Sequence, residues 1–176
     1  MKRGKRLLIN VSIIMLLLFV EYYFGGHYFS KEECIQDTLR GLYAYETENI
    51  MEFKKGKRIV TLMADLDEKT YSVVSVQRNG FLYNADDCFT GHPIEENNTF
   101  DVLGVYDEDT GSFIGVYRND KSITKVIVDT KNGEEIILDD WKQDFVGCLY
   151  DEDVMLREMT YRAYNASGEL VAERAW

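Results

Sequence analysis

Two Asn-Gly pairs, Asn79-Gly80 and Asn132-Gly133, sit between runs of β-branched and aromatic residues. A two-residue turn of type I′ needs positive φ at both central positions, which Asn and Gly tolerate and branched residues do not. Each pair therefore predicts two antiparallel strands lying side by side. Around the first, "KRIVTLMADLDEKTYSVVSVQRNGFLYNADDC" reads as a meander with strands over 58–66, 70–77 and 81–85 and a further turn at Asp67-Glu68-Lys69. Around the second, "ITKVIVDTKNGEEIIL" reads as a hairpin with Lys131 opposite Glu134 and Val128 opposite Ile137, so charge pairs and apolar pairs agree on one register. "VLGVYDEDTGSFIGVY" supplies another hairpin around an acidic turn, and "MTYRAYNASGELVAERAW" a last one around Ala166-Ser167-Gly168. Turn signals at this short, regular spacing predict a mainly β fold, an antiparallel sandwich or barrel-like domain built from hairpins.

One helix makes the fold α+β in a strict count. In "SKEECIQDTLRGLYAY" the Ser30 and Glu33 pair has capping-box spacing, and Ile35, Leu39, Leu42 and Tyr43 recur at helical intervals. "CFTGHPIEENNTF" holds the chain's single proline and the weakest pattern, and reads as a link between two halves. The expected organisation is a helix and lead-in over 27–55, the meander and link over 56–98, and a hairpin-rich module over 99–176, all in one domain large enough to bury a core.

The opening stretch, "MKRGKRLLINVSIIMLLLFVEYYFGG", has the basic cluster and apolar run of a secretory signal. Residues 7–24 would cover roughly 27 Å as a helix, close to the hydrocarbon thickness of a membrane. Small residues are wanted one and three positions before a cleavage site, yet Tyr23 or Phe24 would hold the third position. Cys34 follows Lys31-Glu32-Glu33, which is no lipoprotein site. The expectation is an uncleaved signal-anchor over 1–26, a single-pass transmembrane helix. The positive-inside rule then puts the N-terminus in the cytoplasm and the rest outside the cell membrane, with the helix from Ser30 in a juxtamembrane position.

The formal net charge is −11 at pH 7, and more acidic still once the basic N-terminal cluster is set aside. Such a surface argues against nucleic acid and suits a basic protein partner or divalent ions. Three cysteines outside a membrane would allow one disulfide, for which Cys88 and Cys148 are the pair within the body of the domain; buried free thiols are the alternative.

Catalytic signals are thin. Cys88 and His92 could suggest a thiol and a base, but no third orienting group accompanies them. Asp86, Asp87, Cys88 and His92 would be an unpaired zinc set. A calcium loop starting at Asp107 fails at its sixth and twelfth positions, Ser112 and Arg118, which leaves only a looser Ca²⁺ site on Asp107, Glu108 and Asp109. No nucleophile elbow or phosphate-cradling glycine loop is present, and no cofactor is expected.

The anchor, the helix, the "YSVVSVQRNGFLY" meander, the Ile-Thr-Lys-Val-Ile-Val strand, the Trp141 and Phe145 segment and the closing "AYNASGEL" hairpin together resemble small membrane-anchored extracytoplasmic proteins of Gram-positive bacteria. The last hairpin is similar to that of immunoglobulin-like bacterial modules. No catalytic residues come with the resemblance. The functional expectation is a non-enzymatic binding or regulatory module of inhibitor, sensor or assembly type. Its contacts are expected at Asp107, Glu108 and Asp109 and at Asp139, Asp140 and Trp141. A hydrolase using paired carboxylates and a loose calcium-binding module are the alternatives.

Overall fold

The structure, a computed structural model, describes residues 2–42, 47–105, 112–150 and 158–175. The chain starts with α1 (Lys2–Phe24), β1 (His27–Tyr28) and α2 (Lys31–Gly41). Ser30 caps α2 as its spacing predicts, its hydroxyl accepting the Glu33 amide at 3.0 Å. Then come β2 (Glu48–Lys55), β3 (Arg58–Asp65), β4 (Thr70–Asn79) and β5 (Leu82–Pro93). With β1 they form an antiparallel sheet in the order β1-β5-β4-β3-β2. The remaining strands are β6 (Phe100–Val105), β7 (Ser112–Arg118), β8 (Ile123–Asp129), β9 (Glu135–Leu138), β10 (Phe145–Tyr150), β11 (Thr160–Asn165) and β12 (Leu170–Ala175). They make a three-stranded sheet, β10-β7-β6, and a four-stranded one, β12-β11-β8-β9. Three strands face four, and the β7–β8, β9–β10 and β10–β11 connections pass between the two sheets, an arrangement that antiparallel sandwiches use.

The layers follow from which side chains share a core. Val102, Ile114, Val116 and Val146 of the three-stranded sheet pack against Ile123, Val126, Val128, Leu138 and Tyr161 of the four-stranded one. The opposite face of the same small sheet, with Leu103, Phe113 and Phe145, packs against Met51, Val60, Leu62 and Val73 of the first sheet. The first sheet's outer face takes Ile35 and Leu39 of α2 against Ile59, Met63, Val74 and Val76. The mainly β, antiparallel reading therefore holds, and it takes the form of three stacked sheets with a helix outside the first.

The middle sheet is covered on both sides, so β7 has no solvent face to spare. Phe113, Gly115 and Tyr117 alternate toward the first sheet, opposite Leu149, Gly147 and Phe145 of β10. The Phe113 ring lies across that glycine pair: a Cβ on Gly115 would stand 2.9 Å from it, and one on Gly147 would stand 2.8 Å from the Ile114 carbonyl. Glycine is required here for space rather than for backbone conformation.

Three strand readings are corrected. The segment read as a patternless link continues β5 to Pro93, because β4 supplies backbone partners as far as Thr70, opposite Pro93. The first Asn-Gly turn is shifted by one: Asn79 pairs with Leu82, so Gly80 (φ 67) and Phe81 are the central residues. In the second hairpin Val128 faces Ile136, not Ile137. Its loop closes with the Gly133 amide on the Thr130 carbonyl at 2.9 Å, with Gly133 at φ 81. That is a three-residue loop with a left-handed glycine, and the extra residue slips the register by one. The last hairpin has the same closure, Gly168 on Asn165 at 3.0 Å, as its sequence suggests.

The transmembrane expectation is overturned. Among the described residues no helix is long and apolar enough to cross a membrane. This removes the signal-anchor over 1–26 and the single-pass topology, and with them the basis for placing the C-terminal domain outside a cell membrane. Physically, residues 7–20 lie between Arg6 and Glu21 and cover about 21 Å at about 1.5 Å per residue, against a hydrocarbon core of about 30 Å. Asn10 and Ser12 interrupt that run. Its supposed outer end belongs instead to the folded body. The Glu21 carbonyl accepts the Gly25 amide at 2.9 Å, its carboxylate lies 3.6 Å from His27 Nε2, and Tyr22 stacks on Phe29.

The expected Cys88–Cys148 bridge is not formed: all three cysteines are free. Cys88 packs in the α2 layer and Cys148 between the two smaller sheets, so separate cores hold them. Burial pushes each thiol, Cys34 included, up to about 11.

Candidate functional site

Of the residues expected to make contacts, Asp107, Glu108 and Asp109 lie outside the described residues. Asp139, Asp140 and Trp141 form the connection from β9 to β10. Trp141 is engaged internally. Its indole N–H donates to the Thr124 carbonyl at 2.7 Å, and the Arg118 guanidinium covers its ring at 4.5 Å from the centroid. Asp139 is exposed, and Asp140, also exposed, pairs with Lys142 at 3.0 Å. The tryptophan is thus a peg that holds this connection against the sandwich, leaving two ordinary surface acids beside it.

A different patch places exposed aromatic area beside oriented carboxylates. It forms where the end of α1, β1, the start of α2 and the β4–β5 turn converge. Pairing of His27 with Asn84 and Tyr28 with Tyr83 sets the residue after β1 beside the turn. Phe29 then stacks between Tyr22 at 5.2 Å and Phe81 at 6.2 Å. Phe29 is 51% exposed and Phe81 58%. Beside this ladder, the first turns of α2 present Glu33 and Asp37. Each is held by a phenol: Tyr22 donates to Glu33 Oε1 and Tyr28 to Asp37 Oδ2, both at 2.5 Å. The Asp37 carboxylate that accepts its proton, aided by burial, holds the Tyr28 phenol well above its usual range. The two carboxylates are therefore oriented on a cleft of about 500 Å³ that Gln36 and Arg40 also line. Among the described residues no cation covers the Phe29 or Phe81 ring, whereas Arg78 already rests over neighbouring Tyr83 at 5.9 Å.

The alternatives can be placed as well. One pair of described acids that shares a cation is Glu95 and Asp101, both reached by Arg174, at 4.0 Å and 3.0 Å. Asp101 is buried and also accepts the Glu95 and Val102 amides at 3.1 Å and 3.0 Å, so its oxygens already hold the chain in place. Cys88 and His92 fall on opposite faces of β5: the thiol lies in the α2 layer, while the imidazole stacks on Phe89, which packs toward the middle sheet. Among the described residues no group of three metal-ligating side chains comes together.

Sequence reading missed the aromatic ladder because its members are far apart in the chain and only the β1–β5 pairing joins them. One signal was available, a phenylalanine at a hairpin tip directly after Gly80, where the chain turns through solvent. Comparison with family models, with curated proteins and with solved structures finds no match for this chain.

Proposed function

We propose that this protein is a non-catalytic binding module whose acidic and aromatic patch receives a basic segment of a protein partner. The observation that carries the reading is the Tyr22–Phe29–Phe81 ladder, with Phe29 and Phe81 exposed, flanked by two carboxylates that tyrosines hold in place. Aromatic faces attract cations, and pre-oriented carboxylates can pair with lysine or arginine without first giving up rotamer freedom. The net charge of −11 would steer such a partner toward the surface.

The test is a titration with a synthetic peptide of alternating lysine and phenylalanine, followed by NMR at Phe29, Phe81 and the α2 amides. The basic peptide is expected to shift these signals, with binding that weakens as salt rises from about 50 to 300 mM. Phe29→Ala with Phe81→Ala should weaken it about tenfold. Equal binding of a glutamate-phenylalanine peptide, or shifts confined to other surfaces, would exclude this reading.

A further inference from the structure

On the other face of the first sheet, a furrow of about 260 Å³ is lined by Tyr71, Phe89, His92, Glu95 and Asp101, together with Pro93, Val102 and Gly104. A β-bulge builds it. Tyr71 pairs with His92 and Val73 with Phe89, so between them one residue of β4, Ser72, faces two of β5, Thr90 and Gly91. Gly91 absorbs the extra residue at φ 67, and its amide is 3.3 Å from the Ser72 hydroxyl. In a regular strand residues three apart point to opposite faces; the bulge turns Phe89 and His92 to the same one, where their rings stack 3.5 Å apart at 5°. Tyr71 stands 6.1 Å and 6.0 Å from these two rings and completes an aromatic wall.

The polar groups give the furrow its sign. Tyr71 is only 6% exposed, and its hydroxyl makes no hydrogen bond to a described residue. The sealed, partnerless side-chain atoms among the described residues are His27 Nδ1 and Thr61 Oγ1, so the Tyr71 hydroxyl meets the furrow's open space instead. Burial, followed by the charge of Asp101, raises its phenol, which keeps its proton and can accept a hydrogen bond. Among the described residues of the lining, Glu95 and Asp101 are the acidic ones, and no lysine or arginine is included. Arg174 reaches both acids from a neighbouring cleft, which leaves a net negative charge at the aromatic wall.

We propose that the furrow is a binding site for an organic cation, an ammonium or guanidinium group on a compact apolar body. The Tyr71 ring and the outer face of the stacked Phe89–His92 pair would face the cation, the Tyr71 oxygen and the Glu95 carboxylate would accept its N–H groups, and Val102 and Pro93 would cover its apolar part.

The test uses the full chain at pH 7 and three probes of one shape: benzylammonium, benzyl alcohol and phenylacetate. NMR of the Tyr71, Phe89 and His92 ring signals reports occupancy. Benzylammonium should bind about tenfold more tightly than the alcohol, and phenylacetate should leave the rings unshifted. Tyr71→Phe, which keeps the ring, and Glu95→Gln should each weaken benzylammonium binding about three- to tenfold without moving the melting temperature by more than about 3 °C. Nα-acetyl-lysine methylamide, titrated alongside, separates two sources of this chemistry. Tighter binding of the lysyl probe points to a protein side chain and tighter binding of benzylammonium to a free amine; both outcomes support the site. No shift with either cation, equal affinity for the alcohol, preference for phenylacetate, or unchanged affinity in both variants would overturn it.

Discussion

The β6–β7–β10 ladders and the β4–β5 ladder are both antiparallel and both rich in aromatic residues, yet they differ in regularity. β7 pairs with β6 and with β10 without a single register shift, and its residues 112–116 are all buried. β4 and β5 shift register twice, and β5 is exposed or half-exposed along its whole length. The cause is what lies above and below. The middle sheet has a core on each face, so a one-residue slip would exchange both sets of side chains at once. β5 sits beside the short β1 and carries a full core on neither side, so an extra residue disturbs little there and can re-aim a side chain. Between these two ladders, regular pairing accompanies packing on both faces, and irregular pairing accompanies the exposed strand.

Removing the aromatic keystone of the regular region should have the largest effect. Phe113 is buried, spans Gly115 and Gly147, and meets Phe53 of the first sheet at 5.6 Å. Phe113→Ala opens a cavity where two layers meet and should cost about 4 kcal/mol, measured as a shift in the denaturant midpoint. A loss below about 1 kcal/mol would mean that the sheets are not stacked on this residue. The next effect is overpacking in the same place. Gly147→Ala sets its Cβ against the Ile114 carbonyl, which cannot rotate away, and should cost about 2 kcal/mol.

How far the sequence announces these two regions follows from the same contrast. The hairpins around Gly133 and Gly168 and the Ser30 cap are local events, set by residues three or four apart, and such residues are visible in a sequence. The closure of the Gly133 loop was beyond reach, because two- and three-residue loops both accept Asn-Gly and only tertiary packing of Val128, Ile136 and Leu138 selects between them. The continuation of β5 through "CFTGHP" was illegible for a related reason: it is held by pairing with β4 and carries no alternation of its own. The apolar run of the first helix carried the strongest signal and misled most, since hydropathy counts Tyr22 as an outer belt residue and gives no hint of its bond to Glu33. Neither candidate site could be read in advance. Phe29 meets Phe81 and Tyr71 meets His92 only through strand pairing.

A smaller effect should separate strain from packing in the irregular region. A Cβ on Gly91 would meet nothing within 4 Å, but the residue's φ of 67 is unfavourable for any side chain. Gly91→Ala should therefore cost about 1 kcal/mol. Its sharper signature is local: as the bulge relaxes, the ring-current shifts that Phe89 and His92 impose on each other should change, while signals of the middle sheet stay fixed. A change that spreads to Phe113 would join the two regions into one cooperative unit.

The smallest stability effect should come from a residue proposed to contact the partner. Phe81 and Phe113 are the same side chain beside antiparallel ladders, but Phe81 is 58% exposed and keeps a single stacking partner, Phe29, at 6.2 Å. An exposed ring returns to water little of what a buried one does, so Phe81→Ala should change stability by only about 0.5 kcal/mol. The same variant should lower affinity for the lysine-phenylalanine peptide several-fold, because it removes one end of the ladder that a cation would face. Phe113→Ala, studied below its unfolding midpoint, should leave that affinity unchanged. If the two variants exchange these effects, with Phe81 supporting the fold and Phe113 supporting binding, then surface regularity and ligand contact are not divided between the regions as their strand pairing implies.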